Sequence, residues 1–126
     1  MSEKARPLYE HVKRFIVETV NPMAEKYNAL GEGRTGAERW EYAPGQLDLL
    51  NAAKNQAKKE GLWNFFLPDS ETGEGLSNLD YAYIAAELGK SPMASECMNC
   101  SAPDTGNIEV LERVGTPAQK EKSLKP

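Results

Sequence analysis

Few residues in this chain are equipped for chemistry. Cys97 and Cys100 sit in the run Cys97-Met98-Asn99-Cys100, formally the C-x-x-C spacing of metal and redox motifs. A structural zinc site needs four ligands, and the only histidine, His11, lies far away with no second cysteine pair. A thioredoxin-like dithiol needs a strand leading into its helix within a βαβ unit, and no such setting surrounds this pair. The two thiols therefore read as small apolar residues near one face of a helix. His11 falls among Leu8, Val12 and Phe15, towards the wet side of a helix. A general base needs an orienting partner and a proton within reach, and the sequence names neither, so His11 reads as a solvated helix histidine. No Gly-x-Ser-x-Gly elbow marks a serine nucleophile. Glu71, Glu74 and Asp80 could pair as acid and base, but an exposed acidic loop is the simpler reading. Lys120, Lys122 and Lys125 read as the solvated last turns of a helix, where positive charge suits the dipole. Trp40, Trp63 and the five tyrosines read as packing residues.

The elements that must position these residues are helices. Leu8, Val12, Phe15, Ile16, Val20, Met23, Tyr27 and Leu30 follow one-face helical spacing. Pro22 interrupts the pattern, and the residue before a proline is biased away from helical angles, so a bend or restart is expected at Asn21. Gly31 to Gly36 reads as a loop, and no Gly-Lys-Ser or Gly-Lys-Thr makes it a phosphate loop. A second helix runs from near Pro44 to Gly61, with Leu47, Leu50, Ala53 and Ala57 inward and Lys54, Lys58 and Lys59 wet. Leu62 to Leu67 is a short apolar run ended by Pro68, either a strand or a buried connector. Ser77 caps a third helix with Leu79, Ala82, Ala86 and Leu88 inward and Gly89 as its stop. A fourth helix starts at Ser91-Pro92 and carries Met93, Cys97, Cys100 and Ser101 until residues 102–106 break it. Ile108, Leu111 and Val114 mark a fifth, ending at Gly115, and Thr116-Pro117-Ala118-Gln119 is a capping box for another. The fold class is all-α, an antiparallel helical bundle with short connections. A helix start so well marked, followed by so few residues, predicts a truncated piece of a longer protein.

Composition narrows the function classes. The 126 residues make a single domain, and 15 basic against 19 acidic side chains leave a net charge of −4. A nucleic-acid binder is expected to be basic, so no nucleic-acid partner is predicted. The longest apolar runs fall far short of the roughly 18 residues that cross a bilayer, so no membrane span is predicted. The N-terminus lacks an apolar secretory stretch, and Glu3 and Glu10 fit a mitochondrial transit peptide poorly. Two cysteines make no disulfide framework and point to a reducing compartment, the cytoplasm by default, with a mitochondrial or peroxisomal home open to a eukaryotic protein.

Five segments in order resemble the N-terminal helical domain of the flavin-dependent acyl-CoA dehydrogenases. Val20-Asn21-Pro22-Met23-Ala24-Glu25 is similar to that family's proline-marked bend. The run from Ala57 to Pro68 resembles its helix, glycine and apolar stretch into proline. Glu87-Leu88-Gly89-Lys90-Ser91 looks like its Glu-Leu-Gly helix end, Asn99 to Asn107 resembles one branch of it, and Gly115-Thr116-Pro117-Ala118-Gln119-Lys120 resembles the run before its flavin-binding middle β-domain. The resemblance implies that residues 1–126 are the N-terminal helical domain, truncated before that middle domain. It implies α,β-dehydrogenation of an acyl-CoA thioester, with a carboxylate taking the α-proton while hydride leaves the β-carbon for FAD. The implied partners are acyl-CoA, an electron acceptor and further copies of the chain in a homo-oligomer. No residue here matches the family's base or its flavin ligands, so no catalytic or FAD-binding residue is expected and the chain alone is predicted to be inactive. The expected contribution is one wall of the acyl pocket, with Glu96, Cys97, Cys100, Ser101 and Asp104 as substrate-binding residues. Two other readings stand beside it: a stand-alone helical interaction module without flavin chemistry, and, more distantly, a redox or metal module built on the two cysteines.

Overall fold

A computed structural model describes residues 1–68 and 73–124, and among these the regular structure is entirely helical. Helix α1 (Arg6–Phe15) runs through a single π turn (Ile16–Val20) into α2 (Asn21–Gly31). After a 3-10 turn (Gly36–Trp40) come α3 (Gln46–Lys59) and α4 (Asn78–Leu88), then the short α5 (Ala94–Cys97), α6 (Asp104–Val114) and α7 (Pro117–Ser123). α1 packs against α4, α2 against α3, α3 against α5, and α6 against α7.

The proline at position 22 does not restart the helix. Asn21 keeps helical angles, φ −62° and ψ −46°, against its local bias. Its N–H reaches back five residues to the Ile16 carbonyl. A proline ring clashes with the carbonyl four residues earlier, and the widened π turn makes room for it without breaking the rod.

α3 stops as its sequence predicts. Gly61 takes φ +73°, the Leu62 N–H bonds the Ala57 carbonyl at 2.8 Å, and the Gly61 N–H bonds Lys58 at 3.1 Å. That is a Schellman cap, which favours glycine because a Cβ is strained at positive φ. The Leu62 to Leu67 run is the buried connector, not a strand, and it places Leu62, Phe65 and Leu67 at the centre of the core. Each such side chain contributes about 1.5–3 kcal/mol by leaving water. Val12, Phe15, Val20, Ile84 and Met98 close around them.

Two inward stripes differ from expectation, and one helix is shorter. Leu47 is exposed, and Gln46 takes the inward position at the start of α3. On α4, Leu79, Ala82 and Ala86 face out while Asp80, Ile84 and Leu88 face in. The reversal has a polar cause, because Asp80 accepts from the Ser2 N–H at 2.6 Å, from Ser2 Oγ at 2.9 Å and from Ser77 Oγ at 2.9 Å. Those bonds tie the N-terminus to α4 and fix which face turns inward, while Ser77 caps the helix as expected. The predicted helix from Ser91 to Ser101 shrinks to α5. Asn99 adopts φ +55°, the Cys100 N–H bonds Ser95 at 2.8 Å, and the Asn99 N–H bonds Glu96 at 3.3 Å. This is a second Schellman cap, built on asparagine, the side chain that best tolerates left-handed angles after glycine. α6 begins within the expected break, at Asp104, and ends at Gly115. The Thr116 capping box forms as read, with both reciprocal bonds present.

Candidate functional site

The segment from α5 to the start of α6 carries all five residues singled out in the sequence. Glu96 lies on α5 with its carboxylate ion-paired to Lys54 of α3. Ser101, just past the asparagine cap, donates from Oγ to Glu96 Oε2 at 3.0 Å. The bond from Lys54 holds the Glu96 carboxyl below its ordinary range, partial burial opposes this, and the Ser101 hydroxyl adds to the lowering. The fold thus joins Glu96 and Ser101 into one polar unit. Lys54, read from sequence as solvated, is its cationic anchor and leaves 27% of its side chain exposed. Helical periodicity finds the wet side of α3 but cannot foresee that α5 crosses there.

The thiols lie behind this unit. Cys97 has no accessible surface, and burial pushes its pKa up to about 11. Cys100 is 8% exposed, donates from Sγ to the Met98 carbonyl at 3.3 Å, and is pushed up by burial to about 12. Tyr81 of α4 is likewise raised to about 12, chiefly by burial and then by Cys100. Thiolate is the nucleophile and the metal ligand, so two buried thiols held protonated are chemically quiet. They pack as small apolar residues. Asp104 belongs to a different element, the first turn of α6, and is exposed.

Two asparagines missed in the sequence brace the segment. Asn99 Nδ2 donates to Asn64 Oδ1 at 2.6 Å, and both residues have left-handed backbones. The Asn64 N–H reaches the Met98 carbonyl at 3.4 Å, stitching the apolar connector to the end of α5. Neither has a sequence signal beyond asparagine's tolerance of that conformation.

The other candidates take structural positions. His11 does have a partner: its Nε2 lies 2.7 Å from Glu60 Oε2, joining α1 to the end of α3. Hydrogen bonds from Gln56 and then His11 hold the Glu60 carboxyl below its ordinary range. Asp80 is occupied by Ser2 and Ser77, and the Ser2 bonds hold its carboxyl low, so it is no poised acid. Glu74 is exposed, and Glu71 lies outside the described residues. Trp40 is 84% exposed, a surface residue and not the packing residue expected. Among the described residues no three His, Cys, Asp or Glu side chains gather as a metal site, and no helix is long and apolar enough to cross a membrane.

Three surface clefts lie elsewhere. One of about 610 Å³ lies between the end of α2 and the segment around Trp40. A second, of about 650 Å³, follows the α2–α3 seam past Leu30 and Leu49, and a third, of about 280 Å³, adjoins Pro22 and Met23. None is lined by the residues from Glu96 to Asp104. The flavin implied by the resemblance can be tested against the polar groups present. Among the described residues every buried side-chain nitrogen and oxygen already has a partner, so no orphaned group awaits a ring nitrogen or a pyrophosphate.

With the geometry in place, comparison with known proteins identifies the domain. Residues 2–126 match the family model described as "Acyl-CoA dehydrogenase, N-terminal domain". The chain is 46% identical over 127 residues to acyl-CoA dehydrogenase family member 11 of Gallus gallus, covering 99% of this chain and 15% of that protein. It is 42% identical over 131 residues to family member 10 of Mus musculus, covering 100% of this chain and 12% of the relative. A solved chain from Mycobacterium abscessus, assigned as an acyl-CoA dehydrogenase, superposes with a TM-score of 0.80 at 41% identity, over 99% of this chain and 31% of that one. The chain thus spans a minor part of each relative it matches. The helical architecture, the proline-tolerant first rod and the match along almost every residue agree: the chain belongs to the acyl-CoA dehydrogenase N-terminal domain family.

Proposed function

We propose that this chain acts as the N-terminal helical domain of a flavin-dependent acyl-CoA dehydrogenase, placed before a flavin-binding middle domain, and forms one wall of the acyl pocket. The observation that carries the reading is the end-to-end match of residues 2–126 to that domain family. In the proposed enzyme an acyl-CoA thioester loses two hydrogens to give the 2-enoyl-CoA, an electron acceptor reoxidises the protein, and copies of the chain assemble as a homo-oligomer. The part assigned to this chain is steric and positional. Glu96 and Ser101, mutually bonded and anchored by Lys54, supply a stiff rim, with Asp104 further along the same connection. Cys97 and Cys100 stand behind that rim, and their small volume sets how deep the wall can give. A side chain locked by its own partners holds a substrate surface more sharply than a free one.

The test is product analysis. The product of the gene encoding this chain, purified from its source, is incubated with acyl-CoA and an artificial electron acceptor, and the thioester is weighed by mass spectrometry. The reading expects a thioester lighter by two hydrogens. Recovery of unchanged acyl-CoA across a range of chain lengths contradicts it.

A further inference from the structure

Among the described residues, glycines aside, only Asn64 and Asn99 take a positive φ, +54° and +55°. They stand 35 residues apart in sequence, yet they bond to each other through the Asn99 Nδ2 and the Asn64 Oδ1. Each backbone has a local task. Asn99 caps α5, and Asn64 opens a turn whose Leu67 N–H bonds the Asn64 carbonyl at 3.1 Å. Glycine performs either task with less strain. What asparagine adds at both positions is the amide, and the two amides meet. Left-handed residues other than glycine gather at ligand clamps and active sites, where the surrounding structure holds them in place.

This clasp governs where the Glu96–Ser101 rim stands. α5 is a single turn of four residues, too short to hold its place by its own hydrogen bonds. Its seat comes from its contacts. Cys97 and Met98 have no accessible surface, and Lys54 holds Glu96 from α3. At the end of the turn the Asn64 N–H bonds the Met98 carbonyl, and the amide pair follows one residue later. Ser101 lies two residues past the clasp and bonds back to Glu96 at 3.0 Å. The connector itself is anchored, because Leu62, Phe65 and Leu67 are at most 1% exposed. The clasp therefore carries the position of the core to the rim.

We propose that Asn64 and Asn99 are positioning residues that set acyl-chain-length selectivity, by fixing how far the Glu96–Ser101 rim stands over the buried thiols. The proposal rests on the wall assigned to this segment above. Neither asparagine touches the acyl chain, and both act through Glu96 and Ser101. Without the amide bond the rim shifts, and a wall that shifts no longer separates chains that differ by one or two methylenes.

The product of the gene encoding this chain is compared as wild type, Asn64→Gly, Asn99→Gly and Asn64→Asp. Glycine keeps the left-handed backbone without strain and deletes the amide, whereas aspartate at position 64 keeps the acceptor. Two quantities are read across straight-chain lengths. One is kcat/KM for acyl-CoA with an artificial electron acceptor. The other is the calorimetric Kd of S-alkyl-CoA thioethers, which lack the carbonyl and cannot be dehydrogenated. In either glycine variant the kcat/KM ratio between the preferred length and one two carbons longer is expected to fall about tenfold. The thioether Kd ratio falls in parallel, kcat at the preferred length holds, and Asn64→Asp keeps the wild-type ratios. Glycine variants that lose kcat/KM equally at every length, or that keep the wild-type ratios, overturn the proposal while an active wild type leaves the dehydrogenase reading standing. So does an Asn64→Asp protein that behaves like Asn64→Gly. A wild type that dehydrogenates no acyl-CoA removes that reading and the proposal with it.

Discussion

Replacing Cys97 with serine exchanges a thiol for a hydroxyl of nearly the same shape at a position with no accessible surface. No hydrogen bond to the Cys97 thiol is found among the described residues, so the hydroxyl enters a dry site without a partner. An unsatisfied buried hydroxyl costs about 1–3 kcal/mol. Unfolding entropy of about 2.1 cal/mol/K per residue over 126 residues makes each kcal/mol worth about 4 °C of Tm. Cys97→Ser is therefore expected to lower Tm by about 4–12 °C in a thermal melt followed by circular dichroism. Cys100→Ser is the internal comparison. Its thiol already donates to the Met98 carbonyl at 3.3 Å, a bond the hydroxyl inherits, so its loss stays below about 1 kcal/mol. A Cys97→Ser protein melting with the wild type, or a larger loss at Cys100 than at Cys97, would refute the assignment of these thiols to the core.

Three further outcomes follow from the same physical terms. Gly61→Ala meets open space but keeps φ +73°, so backbone strain alone lowers stability by about 1 kcal/mol, read as a Tm drop of about 4 °C. Glu60 and Glu96 have folded pKa values below the ordinary 4.5. Their contribution is complete above 4.5 and disappears as pH falls through the folded values, so melts taken at descending pH show Tm falling on the acid side. Lys54→Gln removes the main cause of the Glu96 shift and flattens part of that acid limb, and an unchanged limb contradicts the pairing. Ser77→Ala removes the side-chain acceptor for the Asp80 N–H and is expected to cost about 1 kcal/mol in a urea titration, with an unchanged slope.

How much of this was legible in the sequence depends on whether the deciding interaction was local. Caps were legible: Gly61, Ser77, Thr116 and Gln119 act within a few residues of their own helix, and each does what its type and spacing predict. The burial of Leu50, Ala53 and Ala57 followed from periodicity, since that face of α3 is the one other helices cover. The inward face of α4 did not, because Asp80 is drawn in by Ser2, which lies 78 residues away in sequence. Proline at position 22 was visible, but the π turn that absorbs it depends on how the flanking helices pack. The candidate site divides in the same way. Glu96, Cys97, Cys100 and Ser101 were placed on one short stretch, whereas Lys54, Asn64 and Tyr81 join it only through tertiary contact.

The wall assignment is tested most directly by an anaerobic titration of the native gene product with acyl-CoA thioesters of increasing chain length, in wild type and Ser101→Trp, with flavin absorbance as the readout. The account predicts that wild-type flavin is bleached by a preferred range of lengths, and that the indole at position 101 moves that preference to shorter chains. A Ser101→Trp protein that binds flavin and keeps the wild-type length profile contradicts the placement of this segment at the acyl chain.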